Sequence, residues 1–329
     1  MQQRFLVIQT AFIGDVVLAT ALLEKLHQHY PDVPVDFLLR KGNDGLLAGH
    51  PFLNQLHVWD KRAGKYRDLF RIIKAVRRAK YTHVINVHRF AASGLVTLLS
   101  GAAFKSGFDK NPLAWCYTEK HPHRISTPDD ALFIHETDRN QSLIASFTDA
   151  SPARPRLYPA AADYELVAPY KGDPFICIAP SSVWFTKRYP PERWVELIDA
   201  LPADHHIYLL GGPEDAPLCE SILAAAGRQN IFHLCGRLSL MQSAALMQDA
   251  AMNYTNDSGP LHFATAVNAP VTAVYCSTHP CFGFGPLSDV RKVVQVAGLY
   301  CKPCGLHGYA ACPEGHFRCA KDIPTTALL

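Results

Sequence analysis

No apolar run in the 329-residue chain approaches the roughly 18 to 20 residues that span a bilayer. The best candidate, residues 16–23, is bounded by polar or charged neighbours. No integral membrane protein is expected. Residues 1–8 carry one Arg and then only four apolar residues before Gln9 and Thr10, too short for a signal-peptide core, so a cytoplasmic location is expected. Charge of one sign is not in excess either: 32 Lys and Arg against 29 Asp and Glu give a formal +3. Affinity for a membrane surface would have to come from a local patch, and no nucleic-acid partner is expected.

Several motifs are missing. No Gly-x-Gly-x-x-Gly follows the first apolar run, which disfavours a dinucleotide oxidoreductase. The Gly-x-x-x-x-Gly-Lys-Ser/Thr phosphate loop is absent, and so is the Gly-x-Ser-x-Gly nucleophile turn of α/β-hydrolases. No two aspartates are separated by a single residue, so the Asp-x-Asp metal clamp of many sugar-nucleotide enzymes is missing. If a diphosphate leaves here, a helix terminus and lysines must stabilise it.

What is present is a globular composition, with 48% hydrophobic, 10% aromatic and 19% charged residues. The length suggests about two domains. Apolar runs at 5–8, 35–39, 57–59 and 84–87 alternate with helical spacing at 16–26 and 69–76. Strands separated by helices predict a parallel sheet covered on both faces. Residues 151–159 hold three prolines and no periodicity, and mark a linker. The alternation then restarts, with strands at 175–179, 206–210, 231–234, 252–254 and 271–275. The expectation is two doubly wound α/β domains, residues 1–155 and 156–329, facing each other across a cleft, with function in the loops that follow strands.

Four such loops stand out. In Asn256-Asp257-Ser258-Gly259-Pro260-Leu261-His262, Asp257 or Ser258 can cap the next helix and Pro260 suits its first turn. A helix start of that kind is most often a plain cap, but its free amides and dipole can also receive a phosphate, and the ionisable His262 in the first turn favours that reading. Gly14 and Asp15 end the first strand-to-helix turn, where Asp15 reads as an N-cap or as a general base. Glu214 after Gly211-Gly212-Pro213 can accept from a ribose diol or simply complement a helix dipole. Lys187 precedes a helix, where it can neutralise a diphosphate or stay solvated.

Taken together, residues 10–20 with Gly14 and Asp15, Lys187-Arg188-Tyr189-Pro190, Gly211-Gly212-Pro213-Glu214 and residues 256–262 resemble the ADP-heptose:lipopolysaccharide heptosyltransferases, glycosyltransferase family 9. The resemblance implies a GT-B fold of two Rossmann-like domains, an acceptor-binding one first and an ADP-heptose-binding one second. It also implies metal-independent, inverting transfer of heptose to a lipopolysaccharide inner-core acceptor, with no cofactor. On it, Asp15 matches the catalytic base, Lys187 a donor-holding lysine and Glu214 the acid that meets the ribose. Asp257, Ser258, Gly259, Pro260 and His262 match the diphosphate and heptose site, with Gly14 beside the base. Many members have Trp where this chain has Tyr189. A transferase or epimerase using another nucleotide sugar, and a non-catalytic nucleotide-sugar-binding module, are the alternatives.

Two features lie outside that match. Lys61, Arg62, Lys65, Arg67, Arg71, Lys74, Arg77, Arg78 and Lys80 crowd one helical stretch against a single Asp68. This is either a solvated face or a surface for an anionic acceptor at the inner membrane. Cys301, Cys304, Cys312 and Cys319 cluster near the end with His307 and His316. Their spacing can enclose zinc or iron, or leave reduced thiols packed under a loop. Some heptosyltransferase relatives acting on protein acceptors are said to carry such a metal-holding finger.

Overall fold

The computed structural model describes residues 3–62 and 64–329; the Lys65 side chain of the basic run lies outside what it describes. The chain divides into two units, Met1–Ser126 with Ile134–Tyr158, and Thr127–Phe133 with Pro159–Leu329. The main division falls after Tyr158, three residues beyond the expected one. The Arg156 amide donates to Thr20 Oγ1 (2.9 Å) and the Tyr158 hydroxyl to Glu24 (2.9 Å), which ties these residues to the first unit.

The first unit runs β1 (Phe5–Ile8), α1 (Ile13–His29), β2 (Val35–Arg40), β3 (Leu53–Trp59), α2 (Lys65–Ala79), β4 (His83–Asn86), α3 (Ala91–Leu99), β5 (Phe104–Phe108), β6 (Glu119–His121) and α4 (Glu136–Ser142). Its six parallel strands lie in the order β3-β2-β1-β4-β5-β6. The continuous apolar run of β1 is buried on both faces, as a central parallel strand requires. On α2, Leu69, Ile72, Ile73 and Val76 form the buried stripe against this sheet. Each contributes up to about 1.5–3 kcal/mol of apolar burial.

The second unit contains α5 (Ala161–Val167), β7 (Phe175–Ala179), α6 (Pro191–Ala200), β8 (His206–Leu209), α7 (Ala216–Ala225), β9 (Ile231–His233), α8 (Leu240–Gln248), β10 (Met252–Asn256), α9 (Gly259–Ala266), β11 (Val271–Val274), β12 (Arg291–Val294) and α10 (Arg318–Lys321). Its sheet order is β12-β11-β10-β7-β8-β9, again wholly parallel. Trp194 and Ile198 of α6 anchor its core, into which Phe317 and Cys319 of the tail also pack.

In both sheets the order of strands reverses beside the first strand of the unit, between β1 and β4 and between β7 and β10. Open α/β sheets bind ligands outside the carboxyl ends of strands at such a reversal. The loops leaving β1 and β4 carry Thr10 and His88; those leaving β7 and β10 carry Lys187 and Asp257.

Candidate functional site

In the first unit, Phe12 is the N-cap of α1 and Asp15 is the third residue of the helix, not its N-cap; the Phe12 amide donates to Asp15 Oδ2 at 3.1 Å. Asp15 is half-buried, and desolvation, followed by the negative charge of Glu136, pushes its carboxyl up to about 7 against the opposing pull of Arg89 and the Phe12 amide. Glu136 is itself buried and paired, 2.7 Å from Arg139 Nε and 3.7 Å from His123 Nε2. Although burial raises it, these partners hold it below the ordinary carboxylate value.

The β1 exit loop is fixed from three sides. Thr10 Oγ1 lies 2.9 Å from His88 Nδ1, Lys61 Nζ donates to the Thr10 carbonyl at 3.2 Å, and Asn43 Nδ2 donates to the Ala11 carbonyl at 3.2 Å. Burial, with Lys61 nearby, brings the His88 imidazole down to about 4, so it is neutral at physiological pH. The result is a carboxyl that changes charge near neutrality in a rigid setting, which suits a general base.

In the second unit, Asn256 at the end of β10 organises the β7 exit. Its Nδ2 donates to the Pro180 carbonyl at 2.7 Å and its Oδ1 accepts from the Tyr189 amide at 2.9 Å. Lys187, between those anchors, places Nζ 2.7 Å from Asp257 Oδ2. Thr278 Oγ1 donates to the same oxygen at 2.6 Å. Tyr189, the expected Trp position, is buried, meets Trp194 edge-on and donates its hydroxyl to the Ile323 carbonyl at 3.1 Å.

Ser258 is the N-cap of α9, without a side-chain capping bond; its hydroxyl lies 3.4 Å from the Asn256 carbonyl. Gly259 and Pro260 form the first turn, and His262 is buried on the same turn, edge-on to Phe284. The opening amides of α9 and its dipole follow directly after Asp257, to which the Lys187 ammonium is paired, so a helix start and a lysine lie in one neighbourhood. Glu214 lies in a separate loop, exposed on the short turn Pro213–Asp215. There Asp215 Oδ2 accepts from the Gly212 amide at 2.9 Å, and Gly236 N donates to the Gly211 carbonyl at 3.0 Å.

The structure thus gathers Lys187, Asp257, Ser258, Gly259, Pro260 and His262 at one helix start, with Glu214 in a neighbouring strand exit of the same unit, and keeps Gly14 and Asp15 in the first unit. Sequence reading missed Thr278 and Glu136. Thr278 follows β11, so searching every strand exit finds it; Glu136 leaves no local signal. All ten cysteines are free thiols. Cys304 Sγ lies 3.1 Å from the Cys301 carbonyl and Cys301 Sγ 3.9 Å from His316 Nε2. Among the described residues no group of three His, Cys, Asp or Glu side chains is arranged to hold a metal ion.

Residues 69–309 match glycosyltransferase family 9 (heptosyltransferase). The chain is 25% identical over 285 residues to lipopolysaccharide heptosyltransferase 3 of Escherichia coli, covering 82% of this chain and 83% of that protein. It is 24% identical over 324 residues to lipopolysaccharide heptosyltransferase 1 of Pseudomonas aeruginosa, covering 92% and 86%. In fold it is similar to the E. coli ADP-heptose lipopolysaccharide heptosyltransferase II, with a TM-score of 0.78 at 21% identity over 99% of this chain and 96% of that one. The family match spans most of the chain, and the two wholly parallel six-stranded sheets agree with the GT-B fold. The protein is a glycosyltransferase, and it belongs to glycosyltransferase family 9, the heptosyltransferase family.

Proposed function

We propose that this enzyme transfers heptose from ADP-heptose to a lipopolysaccharide inner-core acceptor, with inversion and without a metal ion. The single observation that carries the reading is the Lys187 ammonium, 2.7 Å from Asp257, beside the start of α9. A cation and a helix start together supply what a departing diphosphate needs. The sequence offers no Asp-x-Asp clamp, which leaves that task to these groups.

Asp15 acts as the base. Its carboxyl, pushed to about 7, is matched to removing a proton from an acceptor hydroxyl near neutral pH. Gly14 keeps the neighbouring position free of a side chain. The resulting oxygen attacks the anomeric carbon on the face opposite ADP, through an oxocarbenium-like transition state. Negative charge on the leaving diphosphate is met by Lys187 and the Ser258 and Gly259 amides; Pro260 has none to offer. Asp257 and His262 orient the donor, and Glu214 accepts from the ribose.

No helix among the described residues is long and apolar enough to cross a membrane. The surface for a lipid-linked acceptor is α2, whose outer face combines Arg67, Arg71, Lys74, Arg77 and Arg78 with Tyr66 and Phe70, 70% and 63% exposed. Cations draw that face to anionic lipid, and the two rings, one turn apart, can enter the headgroup layer. We assign the enzyme to the cytoplasm, peripheral at the inner membrane.

The test is thermal unfolding with saturating ADP-heptose and, separately, UDP-glucose and UDP-N-acetylglucosamine. ADP-heptose alone should raise the Tm, and transfer should persist in EDTA. A shift with a UDP-sugar and none with ADP-heptose would transfer the assignment to another nucleotide-sugar enzyme.

A further inference from the structure

The cysteine-rich tail is bonded to two loops of the candidate diphosphate site, and the bonds converge on Thr186. The Tyr309 amide donates to Thr186 Oγ1 at 2.8 Å, and the Thr186 amide returns a bond to the Tyr309 carbonyl at 3.1 Å. Ser277 Oγ donates to the same Thr186 oxygen at 3.0 Å, while the Cys304 amide donates to the Ser277 carbonyl at 2.9 Å. Lys302 Nζ donates to the Tyr275 carbonyl at 2.7 Å, so the tail is anchored on the exit loops of both β7 and β11. Thr186 and Ser277 are 1% and 0% exposed, which leaves water no part in their hydroxyl bridge.

This bridge lies one residue from each group that holds Asp257. Thr186 precedes Lys187, whose Nζ is 2.7 Å from Asp257 Oδ2; Ser277 precedes Thr278, whose hydroxyl donates to that same oxygen at 2.6 Å. Gly308, at φ +78°, comes so close that a Cβ there would stand 2.9 Å from Thr186 Oγ1 and 3.0 Å from Lys187 Cγ, so tail backbone packs on the stem of the lysine. A lysine stem is long and flexible, and holding its ammonium at one point for a ligand costs rotamer entropy unless backbone and stem are fixed beforehand. Thr186 fixes that backbone, and Gly308 confines the stem.

We infer that Thr186 is a positioning residue for donor binding: its hydroxyl joins the tail to the exits of β7 and β11, and so presets the Lys187 ammonium for the donor diphosphate. The inference rests on the proposed function for the donor's identity, and it extends the donor site into the tail.

The experiment compares wild type, Thr186→Val, Thr186→Ser, Ser277→Ala, Lys187→Met and the Thr186→Val/Lys187→Met double variant. It measures Kd for ADP and for adenosine, and KM for ADP-heptose and for the acceptor. Thr186→Val keeps the shape and removes the oxygen that accepts from Tyr309 and Ser277. It should raise the ADP Kd and donor KM about tenfold, the scale of one lost charge-assisted interaction. The adenosine Kd and the acceptor KM should stay within about twofold, since adenosine has no phosphate for Lys187 to meet. Thr186→Ser should recover most of the loss, and Ser277→Ala, which breaks the bridge from its other side, should show a smaller loss of the same kind. Because Thr186 acts through Lys187, the double variant should bind ADP about as well as Lys187→Met alone. Unchanged ADP affinity in Thr186→Val, an equal loss for ADP and adenosine, or losses that simply add in the double variant would overturn the inference. Should Thr186→Val not fold, the ADP-to-adenosine ratio in Ser277→Ala decides by the same criteria. Wild-type binding of UDP in place of ADP would instead strike the proposed function, while the same ratio taken with UDP and uridine would still decide the part of Thr186.

Discussion

Lys187 Nζ and Asp257 Oδ2 are 2.7 Å apart, with only 15% and 9% of their side chains exposed. This ion pair joins the exit of β7 to the exit of β10 across the reversal of the second sheet. Both members are nearly dry, so removing one leaves the other charged and poorly solvated.

Lys187→Met should therefore lower the Tm by roughly 5–10 °C, corresponding to about 2–3 kcal/mol. It should also raise the donor KM well above the wild-type value. Asp257→Asn should be milder in stability, since its amide oxygen can still accept from Thr278. In a double-mutant cycle read by thermal unfolding, Asp257→Asn should recover much of what Lys187→Met loses. Additive losses would show that the pair contributes nothing as a pair.

Asp15 predicts the pH dependence. A base with a carboxyl at about 7 works only when ionised, so kcat/KM should rise with pH through about 7 and then level. Glu136→Gln removes a charge that raises Asp15, so the acidic limb should move to lower pH, as a pH–rate profile would reveal. The folded protein holds the Asp15 proton up to about 7, whereas the unfolded chain loses it near 3.8. Stability from this group is thus present below about 4 and lost as pH rises towards 7. Asp15→Asn should raise the Tm at pH 8 and leave it nearly unchanged at pH 4.

Gly308 ties the tail to Lys187 by fit alone. Gly308→Ala adds a methyl 2.9 Å from Thr186 Oγ1 at a left-handed backbone position, which costs about 1–2 kcal/mol from the conformation alone. Its Tm should fall and its donor KM should rise. Gly172→Ala, with nothing within 4 Å, should change neither.

The outer face of α2 should bind vesicles containing anionic lipid at low salt and release them at high salt, as a sedimentation assay would record. Arg67→Glu with Lys74→Glu should abolish binding, and Tyr66→Ser with Phe70→Ser should weaken it at every salt concentration. Equal binding to neutral vesicles would remove the electrostatic part of this reading.

Much of the architecture is legible in local pattern. The apolar runs of β1, β7 and β11 and the spacing along α2 predicted those elements, because burial on both faces or on one stripe leaves a periodic trace. β5 was missed: its sequence, Phe-Lys-Ser-Gly-Phe, is neither apolar throughout nor regularly alternating. Its Gly107 lies under the Tyr117 ring, a long-range fit that no local window contains. The helix start at Ser258 and Gly259 was readable from capping chemistry. The Asp257 pairing with Lys187 and Thr278, and the reach of Lys302 to Tyr275, were not, since both join residues brought together only by the sheet.

The most direct test of the central claim is heptosyl transfer by Asp15→Asn beside wild type, with ADP-heptose affinity measured on the same preparations. The account predicts a loss of about 10²–10⁴-fold in kcat, the range for a removed general base, with donor Kd essentially unchanged. Turnover at the wild-type rate in Asp15→Asn would contradict it.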